Sequence, residues 1–300
     1  MATPPSDPLR GIFWMLVTGL CFVAVTAIVK YMGPEVPPAQ AAFLRYLMGL
    51  VFLLPVASSL MQTRLTRRQW TLFSVRGACH AGGVMLWFFA MTRIPIAEVT
   101  ALNYLAPVYV SIGAALFLGE RLAARRIAAV VVALIGTAII LRPGIREVAP
   151  GHVAMLIAGV VFAGSYLTAK IMADETPASV VVAMLSIFVT IFLAPFAAAD
   201  WITPSLRDLG LLALVACFAT AGHYTMTLAF AAAPVTVTQP ITFLQLVWAT
   251  LLGVVVFAEP VDGWVIFGGL TILAAVTFIT FREAQLRGKA TTPPSPATKL

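Results

Sequence analysis

Charge is what this chain has least of. Only 10% of its 300 residues are Asp, Glu, Lys or Arg, against 61% that are hydrophobic, whereas a soluble domain carries about 25% charged residues to coat its surface. The shortage excludes an ordinary water-soluble fold for most of the chain and leaves lipid as its solvent. Cysteine is scarce too. Cys21, Cys79 and Cys217 all fall inside apolar runs with no C-x-x-C spacing, so they read as small packing residues rather than metal thiolates. The chain has no acidic cluster suited to Mg²⁺ and no H-E-x-x-H zinc pattern, and His80, His152 and His223 have no carboxylate at ligand spacing. No metal, cofactor or catalytic residue is expected, and an intramembrane enzyme is the weaker alternative.

What the chain does have is long apolar runs. A bilayer core about 30 Å thick takes about 20 apolar residues per helical crossing. Ten such segments can be marked, at about 11–31, 39–60, 70–92, 97–118, 127–142, 151–172, 178–198, 208–231, 236–257 and 263–281. They are too long and too uniform for barrel strands, which alternate over about ten residues. An all-α membrane protein of ten transmembrane helices is therefore predicted. The first run follows "PPSDPLR" and lacks a small-residue cleavage site, so it is expected to be retained rather than removed as a signal peptide.

The net charge of +7 would suggest nucleic acid in a soluble protein, but here it fits the accumulation of Lys and Arg on cytoplasmic loops. Placing the N-terminus inside puts Arg64, Arg67, Arg68, Arg121, Arg125, Arg126, Arg282, Arg287, Lys289 and Lys299 on that side. Arg93, Arg142, Arg146 and Arg207 fall opposite, diluted by acids. The expectation is a multi-pass inner-membrane protein, both termini cytoplasmic, working as a monomer in lipid without a nucleic-acid partner. Residues 1–10 form a cytoplasmic segment, and the polar, proline-rich tail at 283–300 is expected to be disordered.

Between them the chain repeats itself. Shifted by about 140 residues, Gly11 lies over Gly151, Met15 over Met155, Phe22 over Phe162, Lys30 over Lys170, Glu35 over Glu175, Pro37 over Pro177 and Pro55 over Pro195. After one deletion, Pro95 meets Pro234 and Glu120 meets Glu259. Apolar matches count for little, but Lys, Glu and Pro in one register do not align by accident. Two units, 11–143 and 151–282, follow, each of five helices. Five is odd, so the second unit enters the membrane from the opposite side: an inverted repeat, the architecture that secondary transporters use for alternating access. A scaffold or receptor subunit would leave the inversion unexplained.

The stretch "ALNYLAPVYVSIGAALFLGERL", followed by a helix ending "IGTAIILRPG" and repeated as "TQPITFLQLVWATLLGVVVFAEPV", resembles the EamA-type unit of the drug/metabolite transporter superfamily, with both copies covering nearly the whole chain. Within it the sequence is similar to the bacterial YddG-type amino-acid exporters. That resemblance implies ten helices and export of aromatic and other neutral amino acids, a different small metabolite or drug being the alternative.

Candidate site residues come from polar side chains in apolar segments. Thr100, Asn103, Tyr104, Pro107 and Ser111 follow one helical face; the repeat mate carries Gln239, Thr242 and Thr250, with Gln245 close by. Buried amides and hydroxyls need partners, so these faces are expected to meet protein or a wet cavity. His80 and Trp87 on the third segment, Ser165 and Tyr166 on the sixth and His223 on the eighth are expected to complete the walls. Lys30 and Lys170, and Glu120 and Glu259, are expected to be gate or structural charges at helix ends, outside the substrate site. Several basic residues at mid-depth, which a phosphate-ester carrier would need, are not expected, nor is the embedded carboxylate of a cation exporter.

Overall fold

The computed structural model describes residues 7–119, 124–172 and 176–290. Ten helices are long and apolar enough to cross a bilayer: α1 (Pro8–Met32), α2 (Pro38–Pro55), α3 (Arg67–Met91), α4 (Ile96–Phe117), α5 (Ala124–Leu141), α6 (Pro150–Met172), α7 (Ser179–Ala199), α8 (Leu206–Ala232), α9 (Pro240–Phe257) and α10 (Gly263–Arg282). Among the described residues there is no strand. Local chemistry sets the helix starts. Asp7 accepts from Arg10 N ahead of Pro8, while Thr66 with Gln69 and Ser205 with Asp208 close capping boxes on α3 and α8, satisfying amides that a helix start otherwise leaves unpaired. One expectation is corrected here: the final helix continues to Ala290, so the tail expected to be disordered from residue 283 is helical for its first turns.

Hydrogen bonds fix which helix ends meet. Asp7 N donates to Ala232 O, joining the start of α1 to the end of α8; Gln69 Nε2 donates to Thr176 Oγ1, bringing the α6–α7 connection beside the start of α3. This is the terminal end. At the opposite, distal end, Lys30 Nζ donates to Ile94 O, and Gln40 Nε2 to Ile202 O. The two five-helix units thus run through the bundle in opposite senses.

Lipid tails are as apolar as leucine, so helices in a membrane associate by close packing at small residues. The contact of α5 with α10 is the clearest case: a Cβ built on Gly268 would fall 2.5 Å from the Gly136 carbonyl oxygen. Val25, Val29, Phe88, Met91 and Leu102, all in the distal halves of their helices, belong to one buried apolar cluster.

Besides α2, which passes into a 3₁₀ stretch over Leu50–Val56, two helices are discontinuous. α4 is helical over Ile96–Asn103, turns at Tyr104 and Leu105 and resumes over Ala106–Phe117. Pro107 in the first turn of the second half lacks an N–H that would go unpaired there in any case. Its repeat mate α9 opens with a 3₁₀ turn, Gln239–Thr242, before the α-helix Phe243–Phe257. Broken helices at membrane depth persist where they line a cavity.

Candidate functional site

A cavity of about 540 Å³ lies at these two breaks, within the range of small-molecule sites. It runs from Asn103, Tyr104, Thr242 and Gln245 at its floor towards the terminal end, where Arg126, Lys170 and Thr280 reach it. The Tyr104 hydroxyl donates to Thr242 O at 2.9 Å, tying one broken helix to the other through a carbonyl beside the 3₁₀ turn. The amides of Asn103 and Gln245 can offer both donors and acceptors to a solute.

Rings form the walls. His80 sits edge-on to Phe162 with centroids 5.0 Å apart and to Tyr46 at 6.2 Å; Phe22 meets the His223 ring edge-on at 5.2 Å. Ser165 Oγ lies 3.3 Å from His80 Nδ1. That contact orients the imidazole from behind, and Ser165, 1% exposed, is not itself part of the lining. Trp87 lines the cavity, and its buried Nε1 has no hydrogen-bond partner among the described residues.

Ten of the candidate site residues singled out from the sequence thus share one cavity: His80, Trp87, Asn103, Tyr104, Pro107, Ser111, Tyr166, His223, Thr242 and Gln245. Thr100 does not join them. Its hydroxyl donates to Ile96 O within its own helix, and the residue is buried a turn nearer the distal end. Gln239 falls in the 3₁₀ turn, but its side chain lies outside the described residues, as does all of Glu120. Lys170, expected as a gate charge, stands exposed at the cavity rim.

Sequence reasoning missed two features. Arg45, inside α2, faces this cavity. The expectation concerned several basic residues at mid-depth, and this single one was passed over. A lone arginine within an apolar span is the signal that could have found it. The second feature is a cluster of charges at the distal end. Lys30 Nζ meets Glu259 Oε1 at 2.5 Å, and Glu259 Oε2 accepts from Ile96 N at 3.0 Å. Glu98 accepts from Arg146 through both terminal nitrogens, at 2.9 and 3.0 Å, and is also bonded to His152. Arg142 pairs with Asp262. The carboxylate of Glu98 holds the Arg146 pKa above its ordinary value. Glu98 and His152 are 54 positions apart, too far for any spacing rule to link them. A second cavity of about 270 Å³ borders this cluster.

The profile of the EamA-like transporter family matches residues 9–142 and again 149–281. A riboflavin transporter of Rhizobium johnstonii is 28% identical over 96% of this chain and 97% of its own. An S-adenosylmethionine uptake transporter of Rickettsia bellii is 25% identical over 93% and 96%, and the pseudopaline exporter CntI of Pseudomonas aeruginosa 25% over 88% and 94%. One solved crystal structure, 20% identical and covering 91% of this chain and 98% of its own, superposes with a TM-score of 0.60, a likeness of fold.

Proposed function

The chain belongs to the EamA-like transporter family, and we propose that it is a secondary transporter carrying a small metabolite through the central cavity by alternating access. One observation carries this reading. The cavity reaches the terminal end, while its distal side is closed by ion pairs that join the two repeats: Lys30 to Glu259, Arg142 to Asp262, and Glu98 to His152. Rocking one repeat against the other would part these pairs and open the distal side. With the terminal end in the cytoplasm of a bacterial inner membrane, as the positive-inside pattern supports, this state faces inward.

The substrate is read from the walls. Rings at Phe22, Trp87, Phe162 and Tyr166 suit a planar or unsaturated body, and the Asn103 and Gln245 amides suit its polar edge. Relatives named for riboflavin, S-adenosylmethionine and pseudopaline favour a small metabolite of that kind over export of neutral amino acids. The test is counterflow in proteoliposomes with riboflavin and, separately, tryptophan. Riboflavin exchange that falls at least tenfold in Trp87→Ala, with little change in melting temperature, is expected. Tryptophan exchange without riboflavin exchange would restore the amino-acid reading, and exchange of neither would remove transport of ring-bearing metabolites.

A further inference from the structure

Two arginines lie within the spans at depth, and the structure separates their roles. Arg76, in α3, is buried, and its Nη1 donates to Val181 O at 3.1 Å, bracing α3 against α7. Arg45 has no such use. It lies seven residues into α2, about 10 Å below the helix start at 1.5 Å per residue, where an arginine facing lipid is costly. It faces the cavity instead, its guanidinium 3.9 Å from the centroid of the Tyr46 ring. Among the described residues no carboxylate pairs with it.

The rest of the lining repeats the same polarity. Among the described residues no Asp or Glu borders the cavity. The buried Trp87 Nε1 is a donor without an acceptor among the described residues. An arginine with no acid beside it among the described lining residues gives the cavity the polarity that suits an anion. A guanidinium is the side chain best shaped for one, since its planar fork accepts a carboxylate or phosphate through two parallel bonds.

We propose that Arg45 anchors a carboxylate or phosphate group of the transported metabolite, so that the carrier selects ring-bearing organic anions and rejects organic cations of the same size. The inference rests on the transport reading of the same cavity. The anion seats on Arg45, and the ring body lies among Phe22, Phe162 and Tyr166. Substrate charge, rather than ring shape alone, then decides which molecules are moved.

The experiment uses the full-length protein, purified and in proteoliposomes, with probes that share a body and differ in charge. The carboxylate arm compares 3-phenylpropionate, its neutral amide and the corresponding 3-phenylpropylamine; the phosphate arm compares flavin mononucleotide with riboflavin. Affinity is read from ligand-induced thermal stabilisation and from competition in counterflow. In at least one arm the anion is expected to bind at least tenfold tighter than its neutral partner, and that arm names the group. The amine should bind weakest. Arg45→Gln should lose at least tenfold in anion affinity while holding the neutral partner within twofold, and Arg45→Lys, which keeps the charge but not the fork, should fall between. Anion and neutral partner binding alike in both arms overturns the proposal. So does Arg45→Gln leaving anion affinity unchanged. The wild-type comparison decides even if a variant fails to fold. If riboflavin is carried and weakened by Trp87→Ala while flavin mononucleotide and 3-phenylpropionate bind no tighter than their neutral partners, the transport reading stands and the anion anchor falls. If none of the probes binds, both fall.

Discussion

At the distal end Lys30 of the first repeat meets Glu259 of the second, with two further charged contacts, Arg142 to Asp262 and Glu98 to His152, across the same seam. At the terminal end Lys170, the repeat mate of Lys30, stands exposed on the rim of a cavity. The two ends descend from the same five-helix unit, so sequence alone would make them equivalent. Their difference is one of packing. A unit used twice in opposite senses can hold one end closed while the other is open, and the exchange of those roles is what alternating access requires. The distal contacts are the elements in which that exchange must show itself.

The strongest way to break the comparison is to fix the closed end. In a background lacking Cys21, Cys79 and Cys217, Lys30→Cys with Glu259→Cys places two thiols across the seam between α1 and α9. A reducible bifunctional thiol reagent is expected to abolish counterflow, and reduction to restore it. Undiminished transport in the linked protein would mean that the distal end never opens.

A smaller but more informative effect is expected from Glu98→Gln. Removing one member of a buried ion pair is destabilising by about 3–5 kcal/mol, and about 3 kcal/mol corresponds to roughly 150-fold in an equilibrium. Glu98 lies outside the cavity, so its loss should shift the balance towards an open distal end rather than alter the substrate site. Labelling of a cysteine placed at Val29, within the buried apolar cluster, by an impermeant maleimide should accelerate at least tenfold. An unchanged rate would make the cluster a folding anchor only.

How much of this was legible depended on the distance over which each signal acts. The ten spans were readable because each is a local run of about 20 apolar residues, and the repeat because Lys, Glu and Pro recur in one register. The site was read in part. A polar stripe names a face correctly, so Asn103, Tyr104 and Ser111 all reach the cavity. It says nothing about depth. Arg45 was passed over as a single charge in an apolar run, and the Glu98, Arg146 and His152 cluster forms from three separate elements. The breaks in α4 and α9 were invisible as well. Pro107 and Pro240 could each have been read as the start of an uninterrupted helix.

The smallest effect tests depth directly. Thr100 and Asn103 lie three positions apart on one face of α4, yet Asn103 borders the cavity while Thr100 is 4% exposed, with its hydroxyl turned back to Ile96 O. That carbonyl is already the acceptor of the regular helix bond four residues on, so losing the hydroxyl leaves no orphaned group. Thr100→Val keeps the volume. It should change stability by about 1 kcal/mol or less, the usual net value of one hydrogen bond, and leave substrate affinity unaltered. Asn103→Ala, in contrast, removes an amide that faces the solute and should weaken binding about tenfold, or about 1.4 kcal/mol. Substrate-induced thermal shifts of the two variants, measured side by side, make the check. Equal losses of affinity would place the floor of the cavity a full turn deeper and bring Thr100 back into the site.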